Sequence, residues 1–455
     1  MPIASVNPAT GETVRVFPPH TEDEVEQRLA AAAAAFANWR HTTFTERSAL
    51  LTRTAQVFED RREQLAALLV LEMGKLRSAA LAEVDKSATC LRHYAEAGPR
   101  YLAEQEIRTD AVRSYVRHDP LGVVLAVMPW NYPFWQVIRF AAPALVAGNA
   151  GLLKHASNVP QCALALEAAF AEAGAPEGLF QALLIGGDRV APLLADHRIA
   201  AATLTGSEQA GRSLGEAAGR ALKKVVLELG GSDPFLVLPS ADVERAAQVA
   251  VTARVQNAGQ SCIAAKRFVV HEEVYEAFVR QFVARLQALK VGDPADAATE
   301  LGPLASAAIR EEVDAQVQSS VAMGARLLCG GHRLPGPGFF YAPTALAEAP
   351  RGSAAREEEL FGPVATLVRV SSLDEAIAVA NETRFGLGAA AFTRDPAEQQ
   401  RLASELEAGC VFFNGLVKSD PRLPFGGVKA SGFGRELGGQ GIREFVNVKS
   451  VWIGN

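Results

Sequence analysis

Two spacings of apolar residues divide the chain. Over the first hundred residues, apolar positions recur every three or four, the period that gathers side chains on one helix face. Thr21-Glu22-Asp23-Glu24 places a carboxylate three residues after a hydroxyl, a capping box opening an amphipathic helix to about Arg40. From Thr45 to Met73 the pattern continues through Leu50, Leu51, Val57, Leu65, Leu68 and Leu69, with Gly74 as the C-cap. A third helix is predicted over Arg77 to Tyr101.

Short apolar runs then alternate with helical stretches. The predicted order is strand 123–127, helix 136–146, strand 151–153, helix 159–173, strand 182–185, helix 188–195, strand 201–204, helix 208–218 and strand 225–227. Strands separated by helices of this length imply a parallel sheet covered on both faces. A second α/β series follows: strand 235–238, helix 243–256, strand 268–270, helices 274–289 and 309–323, and strands near Leu327, Leu367, Ala390 and Val411. Arg113–His118 and Glu444–Ile453 alternate like strands outside both series. They need partners, and pairing with each other or with another subunit predicts an oligomer.

The chain has 455 residues, of which 49% are hydrophobic and 21% charged, enough for large cores and too apolar for disorder. A net charge of −6 argues against nucleic acid as a partner. No apolar run reaches the ~20 residues of a bilayer span, and the N-terminus carries no readable signal peptide. The expectation is a soluble, cytoplasmic protein with no membrane partner. Cys90, Cys162, Cys262, Cys329 and Cys410 form no CxxC or Cys/His cluster, which argues against a disulfide framework and against a metal site.

Four segments carry candidate chemistry. Cys262 follows Asn257-Ala258-Gly259-Gln260-Ser261 on a predicted turn, where backbone N–H groups can lower a thiol pKa and hold an oxyanion. Taken alone, a buried core cysteine remains the default reading. Glu228 closes an apolar strand before Gly230-Gly231, at the sheet edge where α/β proteins place ligands, and can act as a general base. A capping or salt-bridging carboxylate fits that segment equally well. Asn131, in the aromatic loop Met128 to Trp135, offers a neutral amide donor for an oxyanion. Lys154 to Ser157 and Thr205-Gly206-Ser207 sit where a dinucleotide approaches strand ends and a helix N-terminus, although no GxGxxG occurs there.

Together these segments resemble the NAD(P)-dependent aldehyde dehydrogenases over essentially the whole chain. The matching pieces, in the family's order, are Pro129-Trp130-Asn131, Lys154, Thr205-Gly206-Ser207, Glu228-Leu229-Gly230-Gly231, Gly259-Gln260-Ser261-Cys262, Glu359-Leu360-Phe361-Gly362-Pro363-Val364 and Pro424 to Glu436. The resemblance implies a Rossmann-type cofactor domain (1–107 and 121–229), an α/β catalytic domain (230–422) and a small β oligomerisation element (108–120 and 423–455). It implies Cys262 as nucleophile, Asn131 and the Cys262 N–H as oxyanion donors, and Glu228 as the base that activates water on a thioester. Trp130, Asn131, Lys154, Ser157, Gly206, Ser207, Leu229, Glu359 and Phe361 are the implied cofactor contacts, and a homodimer or homotetramer is the implied assembly.

Relatives that prefer NAD often read Lys-Pro-x-Glu where this chain has Lys154-His155-Ala156-Ser157. A hydroxyl in place of that carboxylate removes repulsion toward a 2′-phosphate, so NADP is expected over NAD. Leu153 to Pro160 and Glu228 to Phe235 resemble the succinate-semialdehyde dehydrogenase branch, whose substrate carries a distal carboxylate. Arg139, expected at the pocket mouth, and Ser419 are the candidate contacts for that tail. An arginine that another semialdehyde branch carries six residues before the cysteine is Gln256 here. Glutaric semialdehyde or simple aliphatic aldehydes are alternative substrates. A cofactor-free cysteine acyl hydrolase is the alternative of another class, and it would not need Lys154 or Glu359.

Overall fold

The capping box predicted at Thr21 is formed in the computed structural model, which describes residues 2–455, and a second, not predicted, is formed at Thr43. The Thr21 and Thr43 hydroxyls accept from Glu24 and Glu46 N–H, and each glutamate reaches back to its cap's N–H, opening helices Glu22–Trp39 and Phe44–Asp60. The expected single helix to Met73 is two, because Arg61 leaves helical geometry (φ −99°, ψ 16°) before Arg62–Met73. Gly74 closes the second at φ 74°. The third helix is Arg77–Tyr101. Ahead of them Ile3–Val6 and Thr13–Phe17 form an antiparallel hairpin where only helix was expected.

A six-stranded sheet follows in the order Gly432–Phe433, Lys224–Glu228, Ile199–Thr205, Val123–Met128, Ala150–His155, Phe180–Ala182. All its pairs are parallel except the first, where Gly432 and Phe433 run against Glu228 and Leu227. Residues 432–433, expected in the oligomerisation element, therefore complete this sheet. The strand expected at 182–185 is shifted to 180–182. Its inner strands are buried on both faces, packed between the N-terminal helices and helices such as Trp135–Val146 and Pro160–Glu172.

A second, seven-stranded sheet runs Arg326–Cys329, Thr344–Ala347, Val364–Val370, Arg267–His271, Pro234–Val237, Gly388–Phe392, Cys410–Phe413, parallel except at its first pair. Phe235, Phe268, Phe278, Phe282 and Phe392 pack one face of it. Thr344–Ala347 and helices Leu373–Asn381 and Pro396–Glu405 were not predicted. Val446–Ile453 pairs antiparallel with Arg113–Pro120 over its full length, as the two orphan patterns required. Among the described residues no helix is long and apolar enough to cross a membrane, and no His/Cys/Asp/Glu cluster could hold a metal ion.

Candidate active site

Three strand ends of the six-stranded sheet open into one cleft. Val123–Met128 leads into Pro129-Trp130-Asn131, Ile199–Thr205 into Gly206-Ser207, and Lys224–Glu228 into Leu229-Gly230. The first two strands are neighbours, and from there the chain builds outward in opposite directions. That switch point is where open α/β sheets leave a ligand crevice. The cleft encloses about 490 Å³ and is lined by Trp130, Asn131, Gly206, Ser207, Leu229, Cys262, Glu359 and Phe361.

Its floor suits a dinucleotide. Ser207 caps helix Glu208–Arg220 by accepting from Ala210 N–H at 3.3 Å, which aims the free N–H groups and positive dipole of the first turn into the cleft. Leu229 lies so close to this helix that a Cβ on Gly211 would stand 2.5 Å from its Cδ2. The Trp130 and Phe361 rings meet edge to face at 5.7 Å, making an aromatic wall. Glu359 accepts from Gly231 N–H at 3.0 Å and faces the Lys266 ammonium at 3.4 Å. Lys154 and Ser157 do not line this cleft; they lie at the end of the next strand, Ala150–His155. Lys154 is buried and takes no ion pair among the described residues. His155 donates from Nε2 to Pro133 O (2.9 Å) and accepts Ala156 N–H at Nδ1 (2.9 Å), so its neutral form ties the Asn131 loop to that strand. Burial lowers its pKa to about 4.

The turn before Cys262 is strained and closely held. Asn257, Ala258 and Gly259 take successive left-handed φ values of 55°, 54° and 76°, a conformation costly for any side chain but easiest for Asn and Gly. Asn257 Nδ2 donates to Asn131 O (2.8 Å) and Gln260 O (3.0 Å), and Gln260 Oε1 accepts from Ala305 N–H (2.8 Å). The fully buried Arg254 guanidinium donates to Gly259 O at 2.7 Å. The Lys266 ammonium donates to Ser261 O (2.8 Å) and Cys262 O (2.7 Å). One Nδ2–H of Asn131 goes to Gln260 O at 3.1 Å, fixing the amide against this turn. The Cys262 N–H takes no partner among the described residues. Burial pushes the Cys262 thiol up to about 12, against the pull of the Arg139 and Lys266 cations.

Glu228 stands behind the cleft rather than in its wall. Both its carboxylate oxygens are buried without a hydrogen-bond partner. Burial first, and the Glu436 charge second, hold its proton affinity well above the usual carboxylate range, while Arg139 and Arg435 oppose them. Its Oε1 lies against the backbone of Gly426, where an added Cβ would come within 2.6 Å and where φ is +152°. Burial raises the Cys410 pKa, and the charges of Asp233, Glu228 and Cys262 add to it.

Arg139, expected at the pocket mouth, is buried, ion-paired with Glu436, 3.2 Å from Thr205 Oγ1 and stacked over the Phe425 ring. Fully buried, it cannot remain without an anion, and Glu436 supplies one. Ser419 is also buried, and its Oγ accepts from Lys86 Nζ at 2.8 Å. Lys86, Arg254, Lys266 and Glu436 escaped the sequence reading. Glu436 lay inside a quoted signature, and Lys266 follows Cys262 by one turn, but nothing in spacing shows which carbonyls a buried cation will meet.

A model of the aldehyde dehydrogenase family matches residues 1–451. Across the full length of both chains, the sequence is 55% identical to a probable succinate-semialdehyde dehydrogenase [NADP(+)] of Synechocystis sp.. It is 54% identical, again over all of both chains, to succinate-semialdehyde dehydrogenase [NADP(+)] 1 of Mycobacterium tuberculosis. A solved structure of succinic semialdehyde dehydrogenase from Streptococcus pyogenes in complex with NADP+ superposes with a TM-score of 0.97 at 37% identity, covering 99% of this chain and 100% of that one. By that match over residues 1–451 and that identity along the full length of its relatives, the chain belongs to the aldehyde dehydrogenase family.

Proposed function

We propose that this protein oxidises succinic semialdehyde to succinate with NADP+, through a thioester on Cys262. The observation that carries this reading is the junction of Cys262 and Asn131 at the mouth of a cleft floored by the N-terminus of helix Glu208–Arg220. As thiolate, Cys262 adds to the aldehyde carbon, and the oxyanion takes the Cys262 N–H and the second Nδ2–H of Asn131. The thiol proton must leave first, helped by the Arg139 and Lys266 charges. The cofactor supplies the hydride acceptor that leaves a thioester on Sγ. Glu228, once deprotonated, takes a proton from water attacking that thioester, which frees the acid and restores the thiol. Glu359 and the Trp130–Phe361 wall would hold the nicotinamide end, and Gly206 and Ser207 the diphosphate.

The preference for NADP rests on Lys154, a buried cation with no ion pair, and on Ser157, which puts a hydroxyl where a carboxylate would repel a 2′-phosphate. The NADP-dependent names of the relatives support the same reading. Steady-state kinetics with both cofactors test it. kcat/KM is expected to be higher with NADP, and Ser157→Glu is expected to lower it at least tenfold for NADP and raise it for NAD; higher kcat/KM with NAD in the native protein would reverse the assignment. Five free cysteines suit a reducing cytoplasm. The exposed Val448, Trp452 and Ile453 on the outer strand support a homo-oligomer.

A further inference from the structure

The wall of the cleft is unbalanced in charge. It carries four carboxylates, Glu208, Glu312, Glu358 and Glu359, and among the described residues one cation, Arg384. A dinucleotide must bring a doubly charged diphosphate past those acids. Arg384 lies between helix Leu373–Asn381 and strand Gly388–Phe392, on the side of the cleft built by the seven-stranded sheet. Its backbone is held, since Ala430 N–H donates to Arg384 O at 3.0 Å. Its side chain is held as well. The guanidinium lies 4.8 Å from the centre of the Phe385 ring, and Nε donates to Glu208 Oε2 at 2.9 Å. Phe385 in turn packs on the Leu229-Gly230 turn, where a Cβ on Gly230 would stand 3.2 Å from the ring. Glu208 is the first residue of the helix whose N-terminus floors the cleft, so the pair joins its two walls.

An exposed ion pair of this kind contributes little to stability, and 55% of the Arg384 side chain is open to solvent. What the pair does is aim a fork. Nε is the one nitrogen of this guanidinium with a partner among the described residues, so both Nη groups keep their donors free at the cleft wall. A planar fork with its stem fixed matches two phosphate oxygens at once. We propose that Arg384 binds the diphosphate of the cofactor from the side opposite the helix N-terminus, with Glu208 holding Nε so that the Nη groups face the phosphates. The inference rests on the proposed use of NADP+ in this cleft and names the cation that meets its diphosphate. The free N–H groups of the first helical turn and the Nη fork then grip the diphosphate between them. Glu208, which alone would repel the phosphates, is neutralised by the group it orients.

The test is the affinity for NADPH, read from the change in its fluorescence on binding. Adenosine 2′-monophosphate, which keeps the 2′-phosphate and lacks the diphosphate, serves as the competing probe. In Arg384→Gln, Kd for NADPH is expected to rise about tenfold, with Kd for adenosine 2′-monophosphate within about twofold of native as the control for folding. Glu208→Gln separates contact with the diphosphate from mere neutralisation of Glu208. Adding Arg384→Gln to Glu208→Gln should still raise Kd for NADPH at least about threefold over Glu208→Gln alone. A double variant that binds NADPH as tightly as Glu208→Gln would reduce Arg384 to a counter-ion and overturn the proposal. Equal losses for NADPH and adenosine 2′-monophosphate in Arg384→Gln, or no loss for either, overturn the role of Arg384 alone. A native protein that does not bind NADPH overturns the cofactor assignment and the role of Arg384 with it.

Discussion

Cys262 and Glu228 are both acids whose protons are held by burial, yet their surroundings are built in opposite ways. The turn carrying Cys262 is tied at every carbonyl from Gly259 to Cys262, by Arg254, Asn257, Asn131 and Lys266. Glu228 has no hydrogen bond on either oxygen and shares its charge environment with Glu436 and Arg139. A nucleophile must meet a carbon at bonding distance, so fixity helps it. A base must take up and give away a proton within one turnover, and a carboxylate with no bonds to break does this at little cost. The contrast is between a group that is positioned and a group that is poised.

The largest effect expected from that contrast is on Glu228. In Glu228→Gln steady-state turnover should fall ~10³-fold, while rapid mixing still shows one equivalent of NADPH per active site. Loss of that burst would mean that Glu228 acts before the thioester, and the division of labour would collapse. Loosening the positioned side should cost less and cost it differently. Asn257→Ala removes two donors and leaves a left-handed residue without its amide, so kcat/KM should fall about tenfold. Its pH profile should not move; a shift would show that the turn also tunes the base. The smallest effect is on the poised side. Burial, then the Glu436 charge, raises the Glu228 pKa, so activity should rise with pH on the acid limb. Glu436→Gln removes a negative neighbour and leaves the Glu228 carboxylate as the anion for Arg139, which lowers the Glu228 pKa and should move that limb down by about one pH unit. An unmoved limb would assign it to another group, Cys262 first.

Much of this was legible in the sequence, for physical reasons that differ by region. The inner parallel strands read clearly because burial on both faces makes them continuous apolar runs, and Glu22–Trp39 read clearly because its cap is local. Thr344–Ala347 is half alanine and carries little strand signal, and the Ile3–Val6 hairpin is too short for its alternation to stand out. In the proposed site, Cys262, Asn131 and Glu228 were read from the segments that carry them. The partner of Arg139 was not read, because helical spacing gives the face a residue occupies but not the anion waiting there, and Glu436 lies almost three hundred positions away. Lys86 was missed for the same reason.

The short strand Gly432–Phe433 has a consequence for how the molecule comes into being. It closes the sheet edge at Glu228, Leu229 N–H is bound by Ser431 O at 3.0 Å, and Ser431 Oγ donates to Gly230 O at 2.6 Å. These pairings span some two hundred positions, so the sheet edge beside Glu228 closes only once nearly the whole chain is available.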